Sequence, residues 1–129
     1  MEIKIRYSSW TYRRENFQIN KVLEEIMLDV IVNCNSMEWQ DAGETYPQHT
    51  KIKVLRDDKG GRTVVLKIPK GFRMEGHTHI KNEQHFILKG QYEINGQVYG
   101  QGTYQLIHSE MTHGPFTSQT GAEILIVWH

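Results

Sequence analysis

From Lys51 to the C-terminus, apolar and polar residues alternate in short runs separated by turn-forming residues. A period of two is the mark of strands with one buried face. Residues 51–55 and 62–68 are two such runs, joined through Asp57-Asp58-Lys59-Gly60-Gly61, a turn rich in glycine and aspartate. Pro69-Lys70-Gly71 breaks the ladder. A strand over 84–88 is expected to end at Gly90. Runs 91–94 and 97–99 flank Asn95-Gly96, the dipeptide favoured in type I′ hairpins because both of its residues tolerate positive φ. Residues 103–107 and 123–128 complete the set. Short strands at this spacing indicate an all-β sandwich or barrel and not a parallel α/β sheet.

Ahead of this region the period changes. Residues 1–13 suit an extended arm, with Ile3, Ile5 and Tyr7 on one face. Over 16–30, Ile19, Val22, Leu23, Ile26, Met27 and Val30 recur at three- and four-residue intervals, the apolar stripe of a short helix that Asn16 or Asn20 would cap. A strand beginning over 28–32 is the alternative. Residues 33–48 are polar and turn-rich, with Trp39 as the large anchor. The expected organisation is an N-terminal arm, helix and connecting loop over 1–50, packed on a barrel over 51–129, one domain overall.

Composition narrows the function. A chain of 129 residues suits one core. Fifteen basic residues balance fifteen acidic ones, so no charge footprint exists for nucleic acid or an anionic membrane. The single cysteine, Cys34, excludes an internal disulfide and favours a reducing compartment. The N-terminus alternates charged and apolar residues without the apolar core of a signal peptide, and no apolar run approaches membrane-spanning length. The expectation is a small, soluble, cytoplasmic domain. Residues 124–128 are apolar on both faces, so both need cover. The barrel core takes one; a partner subunit, or the N-terminal arm and helix, takes the other. A homodimer is the favoured arrangement.

Against this background one spacing carries chemistry: Gly71-x5-His77-x-His79-x3-Glu83-x6-Gly90, followed by Gly102-x10-His113. Imidazole nitrogens and a carboxylate oxygen together suit Fe, Mn, Ni, Cu or Zn. On a strand, His77, His79, Lys81, Glu83 and His85 would share one face. His113 would then reach the same point from across the barrel. Four protein ligands on an ion that accepts five or six leave positions open for water, substrate or O2, the pattern of a catalytic site. Because binding needs neutral imidazoles, metal affinity is expected to fall as pH drops through about 6.5. His85 is a candidate extra ligand, general base or barrel-lining residue. His108 and Glu110, two apart in the turn before His113, are candidates for proton transfer at the metal mouth, or solvated turn residues. Tyr104, Gln105 and Arg73 are possible substrate contacts.

The first block resembles the first cupin motif: a glycine, five residues, HxH, three or four residues, glutamate, six residues, glycine. The second cupin motif is similar to Gly102-x5-His108-x-Glu110-x2-His113-x3-Thr117, where His108, Glu110 and Thr117 stand at the usual proline, glycine and asparagine positions. These departures fall in a turn and leave the ligand positions in place. The eleven residues between Gly90 and Gly102 are at the short end for the family, as in compact microbial single-domain cupins. The resemblance covers residues 51–129. A wider pattern, Trp39, Lys53-Val54-Leu55-Arg56-Asp57, a glycine turn and Thr63 through Pro69, is similar to the ChrR-like cupins of zinc-containing anti-sigma factors and to acetylacetone-cleaving dioxygenases.

The resemblance implies a double-stranded β-helix, or jelly-roll barrel. It also implies one divalent metal per chain on His77, His79, Glu83 and His113, and frequent homodimers. For Glu83 two roles stand, ligand or support to a ligand, since some cupins use three histidines. The leading function is an Fe(II)-dependent dioxygenase that cleaves a C–C bond in a small β-diketone or hydroxyketone. Zn, Mn or Ni would instead support isomerase, lyase or hydrolytic chemistry. A non-catalytic metal or small-molecule sensor is the alternative class, with no separate effector segment visible in the chain. A storage role suits a short domain with an intact ligand set poorly.

Overall fold

The computed structural model describes residues 18–19 and 29–129. The chain divides between Ile31 and Val32, and the fold below is that of the second unit. Of the expected helix over 16–30, Gln18 and Ile19 are helical, 29–30 are irregular, and the rest lies outside the described residues, as does the arm over 1–13. The alternative strand over 28–32 does not form at 29–32. No helix among the described residues is long and apolar enough to cross a membrane.

Nine strands follow a short 3₁₀ turn at Cys34–Ser36: β1 Gln40–Asp41, β2 Lys51–Asp58, β3 Gly61–Ile68, β4 Phe72–Met74, β5 Glu83–Ile94, β6 Gln97–Gly100, β7 Tyr104–Ile107, β8 Phe116–Ser118 and β9 Ala122–Trp128. They are joined in the order β1-β2-β3-β9-β5-β8-β4, with β6 and β7 also pairing β5. Every pairing is antiparallel. The strands expected over 51–55, 62–68, 84–88, 91–94, 97–99, 103–107 and 123–128 are present. The sequence does not predict β1, β4 or β8, because two or three residues are too few to establish a period.

The expectation that Gly90 ends a strand is corrected: β5 runs on through it for twelve residues. Its first part pairs β9 and β7, and its second pairs β6 and β8, so this one strand belongs to both faces of the curled sheet. A register shift between Ile87 and Lys89 makes the change possible. Before it the buried side chains are Glu83, His85 and Ile87; after it they are Tyr92 and Ile94. The bulge therefore moves the inward face from odd to even positions. Gly90 has φ +73°, and a Cβ there would collide with the Gly121 carbonyl. At the hairpin, Asn95 (φ 51°) and Gly96 (φ 80°) both adopt the positive φ that a type I′ turn requires.

The core lies between the two faces. Val64, Leu66, Ile87, Ile124 and Ile126 come from β3, β5 and β9, and Phe72 and Phe116 from β4 and β8. At roughly 1.5–3 kcal/mol for each fully buried aliphatic or aromatic side chain, this cluster is the main source of stability. The segment before β2 is tied down by its anchor: Lys53 lies 4.3 Å over the Trp39 ring and donates to the Cys34 carbonyl at 2.7 Å. On the outside of β5 and β7, Phe86, Tyr104 and Leu106 remain exposed.

Candidate metal centre

After β4 the chain leaves the sheet. Residues 77–85 do not form the single strand expected from their alternation; bends at Ile80 and Lys81 turn both side chains to solvent. His77 and His79 are instead carried on a loop fastened across the barrel. His77 and His113 form an isolated antiparallel bridge, each N–H donating to the other's carbonyl at 2.9 and 3.0 Å. The Glu110 N–H donates to the His79 carbonyl at 2.7 Å, and the Ser109 N–H to Asn82 Oδ1 at 2.9 Å. Glycines make this close approach possible. A Cβ on Gly114 (φ +100°) would sit 3.0 Å from Gly76 Cα.

The bridge brings three imidazoles together. His77, His79 and His113 offer ring nitrogens that all lie within 4.8 Å of one another. Nδ1 of His77 lies 3.0 Å from the Glu75 carbonyl, which fixes it as the donor and leaves Nε2 facing inward. That Nε2 is 2.8 Å from Nε2 of His79, close to the roughly 3 Å between neighbouring nitrogens that each stand about 2.1 Å from one ion. Both ring nitrogens of His113 are buried without a protein partner. An orphaned imidazole beside two others fits a metal ion, which would supply the missing interaction. Burial pushes the His113 imidazole down to about 4, against the opposing pull of Glu83 and with a further push from the neighbouring histidines. Burial likewise lowers His79, partly offset by Glu83.

Glu83 stands beside the triad at the start of β5, buried. Its Oε2 is 2.7 Å from His79 Nε2 and accepts from Trp128 Nε1 at 3.1 Å; its Oε1 meets His85 Nε2 at 2.5 Å. Burial alone would raise this carboxyl, but the His85 hydrogen bond and the imidazoles of His85, His79 and His113 hold it below its usual range. Behind it the network continues. His85 Nδ1 is 3.2 Å from the Tyr92 hydroxyl, which donates to Gln105 Oε1 at 2.8 Å. Burial raises the Tyr92 phenol, so it stays protonated as a donor.

A cavity of about 60 Å³ adjoins these groups, walled by Leu66, Ile68, Phe72, Ile124 and Ile126 and by Tyr46, Tyr92 and Trp128. Phe116 underlies it, with its ring centroid 5.2 Å from that of His113 and 5.9 Å from that of His85. His85 thus lines the cavity. His108 and Glu110 are exposed turn residues that do not line this cavity. Arg73 pairs with Glu75 on the surface, and Tyr104 donates to Gln84 outside the barrel. Gln105 enters only through Tyr92. Tyr46, Tyr92 and Trp128 were missed by sequence reasoning. Alternation along 91–94 would have put Tyr92 on an inward face, but Tyr46 lies in an irregular segment with no periodic signal.

A family model described as ChrR Cupin-like domain matches residues 27–129. No curated protein matches the chain in sequence. Among solved structures, an RmlC-like cupin from Shewanella frigidimarina is similar at 17% identity and TM-score 0.65, over 78% of this chain and 90% of that one. An acetylacetone dioxygenase from Acinetobacter johnsonii aligns at 13% identity and TM-score 0.65, over 99% and 79%. The Rhodobacter sphaeroides complex of SigE with the anti-sigma ChrR aligns at 16% identity and TM-score 0.59, over 99% and 70%. At these identities the likeness is one of fold. With its jelly-roll sheet and the family match over most of its length, the chain belongs to the ChrR cupin-like domain family.

Proposed function

We propose that the chain holds one divalent metal ion on His77, His79 and His113 and acts as an enzyme on a small oxygenated organic molecule. Fe(II)-dependent dioxygenase-type C–C cleavage is the leading reaction. The observation that carries this reading is the meeting of three imidazoles, one with both nitrogens orphaned, beside a small and mainly apolar cavity. When bound, an iron ion supplies open positions and redox chemistry with O2. The chain's own residues do the rest. Glu83, clamped by His85 and Trp128, holds its Oε2 2.7 Å from the same His79 Nε2 that faces His77, the place of a fourth ligand. The aliphatic wall and Phe116 exclude water. Tyr46, shifted upward by burial, stays protonated and can donate to a substrate oxygen.

The experiment is elemental analysis of untagged protein purified without added metal, followed by O2 uptake on small diketones and hydroxyketones. Iron near one atom per chain with substrate-dependent O2 uptake is expected. Failure to retain or take up any metal would sink the reading. Stoichiometric zinc would favour a second one, suggested by the family match and the ChrR likeness: a redox-silent cupin with isomerase, lyase or hydrolytic chemistry, or a cytoplasmic metal or ligand sensor. In either case we read Phe86, Tyr104 and Leu106 as part of a homodimer interface.

A further inference from the structure

A second cavity, of about 370 Å³, lies at the mouth of the barrel and is some six times the size of the inner one. The two have Tyr46, His79 and Trp128 in common, so these side chains form the partition between them. The inner chamber has room for only a small group, and a substrate of more than a few heavy atoms must keep its remainder outside. The chambers also differ in charge. The inner one presents the buried Glu83 carboxylate and no Lys or Arg, so a second anion there would be repelled and poorly solvated. The outer one presents Arg62 and Lys81 beside Asp57 and Asp58.

These four charges do not cancel. Asp58 is already held by Arg56 through two hydrogen bonds of 2.7 and 2.9 Å. Asp57 is mostly exposed and stands 3.7 Å from Arg62 Nε, too far for a hydrogen bond. Arg62 Nε is buried and has no hydrogen-bond acceptor in the protein. Lys81 has no ion-pair partner among the described residues. The Arg62 guanidinium lies 5.5 Å from the Trp128 ring, against the partition itself, and its charge acts on the Tyr46 hydroxyl. The exposed end of the Arg62 guanidinium and the unpaired Lys81 ammonium line one chamber, where a carboxylate can accept charge-assisted hydrogen bonds from both.

We propose that the substrate is a small monoanionic oxo- or hydroxycarboxylate, with its carboxylate against Arg62 and Lys81 in the outer chamber and its carbonyl end passing between Tyr46, His79 and Trp128 to the histidines. This rests on the reading of the inner chamber as the reaction site, but the charge selection does not depend on the metal.

The test uses two probes of matched shape, 3-oxobutanoate and its neutral counterpart pentane-2,4-dione, titrated by NMR into the full chain with and without zinc. The anion is expected to bind about tenfold or more tightly than the dione, the size of one charge-assisted hydrogen bond. Arg62→Gln and Lys81→Gln should each reduce that preference while leaving binding of the dione and of zinc unchanged. Lys81 sits on an exposed loop, so its variant remains informative if the Arg62 variant folds poorly. Equal affinity for the two probes, or variants that weaken both alike, would overturn the proposal. A preference that survives in a chain that takes up no metal would support the anion site and overturn only the metal-enzyme reading. Zinc uptake without any preference would do the reverse.

Discussion

At the scale of single residues, the centre depends on neutral imidazoles kept neutral by burial. His113 is pushed down to about 4 from an ordinary value of 6.5. Between those pH values the unfolded chain binds more protons at this residue than the folded one, so folded stability falls as pH drops through 6.5 and levels off near 4. Urea titrations of metal-free protein at pH 7.5, 6 and 5 should follow that sense, and His113→Gln should flatten the slope. A stability independent of pH in both proteins would contradict it. The same depression shields metal binding from acid, because protons compete weakly at His79 and His113. The loss expected from the sequence near 6.5 should therefore be shallower than three ordinary histidines would produce. A metal titration in which log K falls by nearly three units per pH unit about one unit below 6.5, as three ordinary histidines would give, would exclude this. For Glu83→Gln, metal affinity should drop by about 10- to 100-fold if the carboxylate only stands behind the ligands, and further if it is itself a ligand.

Among the elements, β5 decides the geometry, and its bulge decides β5. Up to Ile87 the strand turns Glu83 and His85 inward; after Gly90 it turns Tyr92 inward, and the hydrogen-bond chain from Glu83 to Gln105 needs both phases. Gly90→Ala would place a side chain on the Gly121 carbonyl in a left-handed conformation, so a loss of about 1–3 kcal/mol or more is expected in urea unfolding. Gly71→Ala is the control, since Gly71 also has positive φ but open space around it, and it should cost only the conformational part, about 1–2 kcal/mol, and less than Gly90→Ala. Equal losses for the two would mean that the contact with Gly121 is unimportant. The loops carrying the histidines follow a different logic. Their register comes from the bridge between His77 and His113, in which each ligand positions the other through its backbone.

For the whole molecule, one core and one outer face set the remaining expectations. Ile87→Ala, at a fully buried position, should cost about 2–5 kcal/mol of stability through the cavity it leaves. Leu106→Glu, on the exposed outer face, should convert a dimer to a monomer in sedimentation while leaving the metal content unchanged; a wild-type monomer would remove the interface proposal. The strands, the Asn95-Gly96 hairpin and the histidine spacing were legible in the sequence because each is a local pattern, a period of two, a turn dipeptide or a fixed offset along one segment. The same local reading failed where distant segments meet. It made 77–85 a strand because alternation says nothing of the bends at Ile80 and Lys81. It ended a strand at Gly90 because a glycine in a bulge and one in a turn look alike without the partner strand. It identified the four candidate ligands but not the carboxylate's engagement with Trp128, which arrives from a distant part of the chain. What the sequence determined by itself was the longer strands and the chemistry of the donors. Tertiary structure decided which side chains share a chamber, because the bulge, the bridge and the orphaned Arg62 arise only from contacts between residues far apart along the chain.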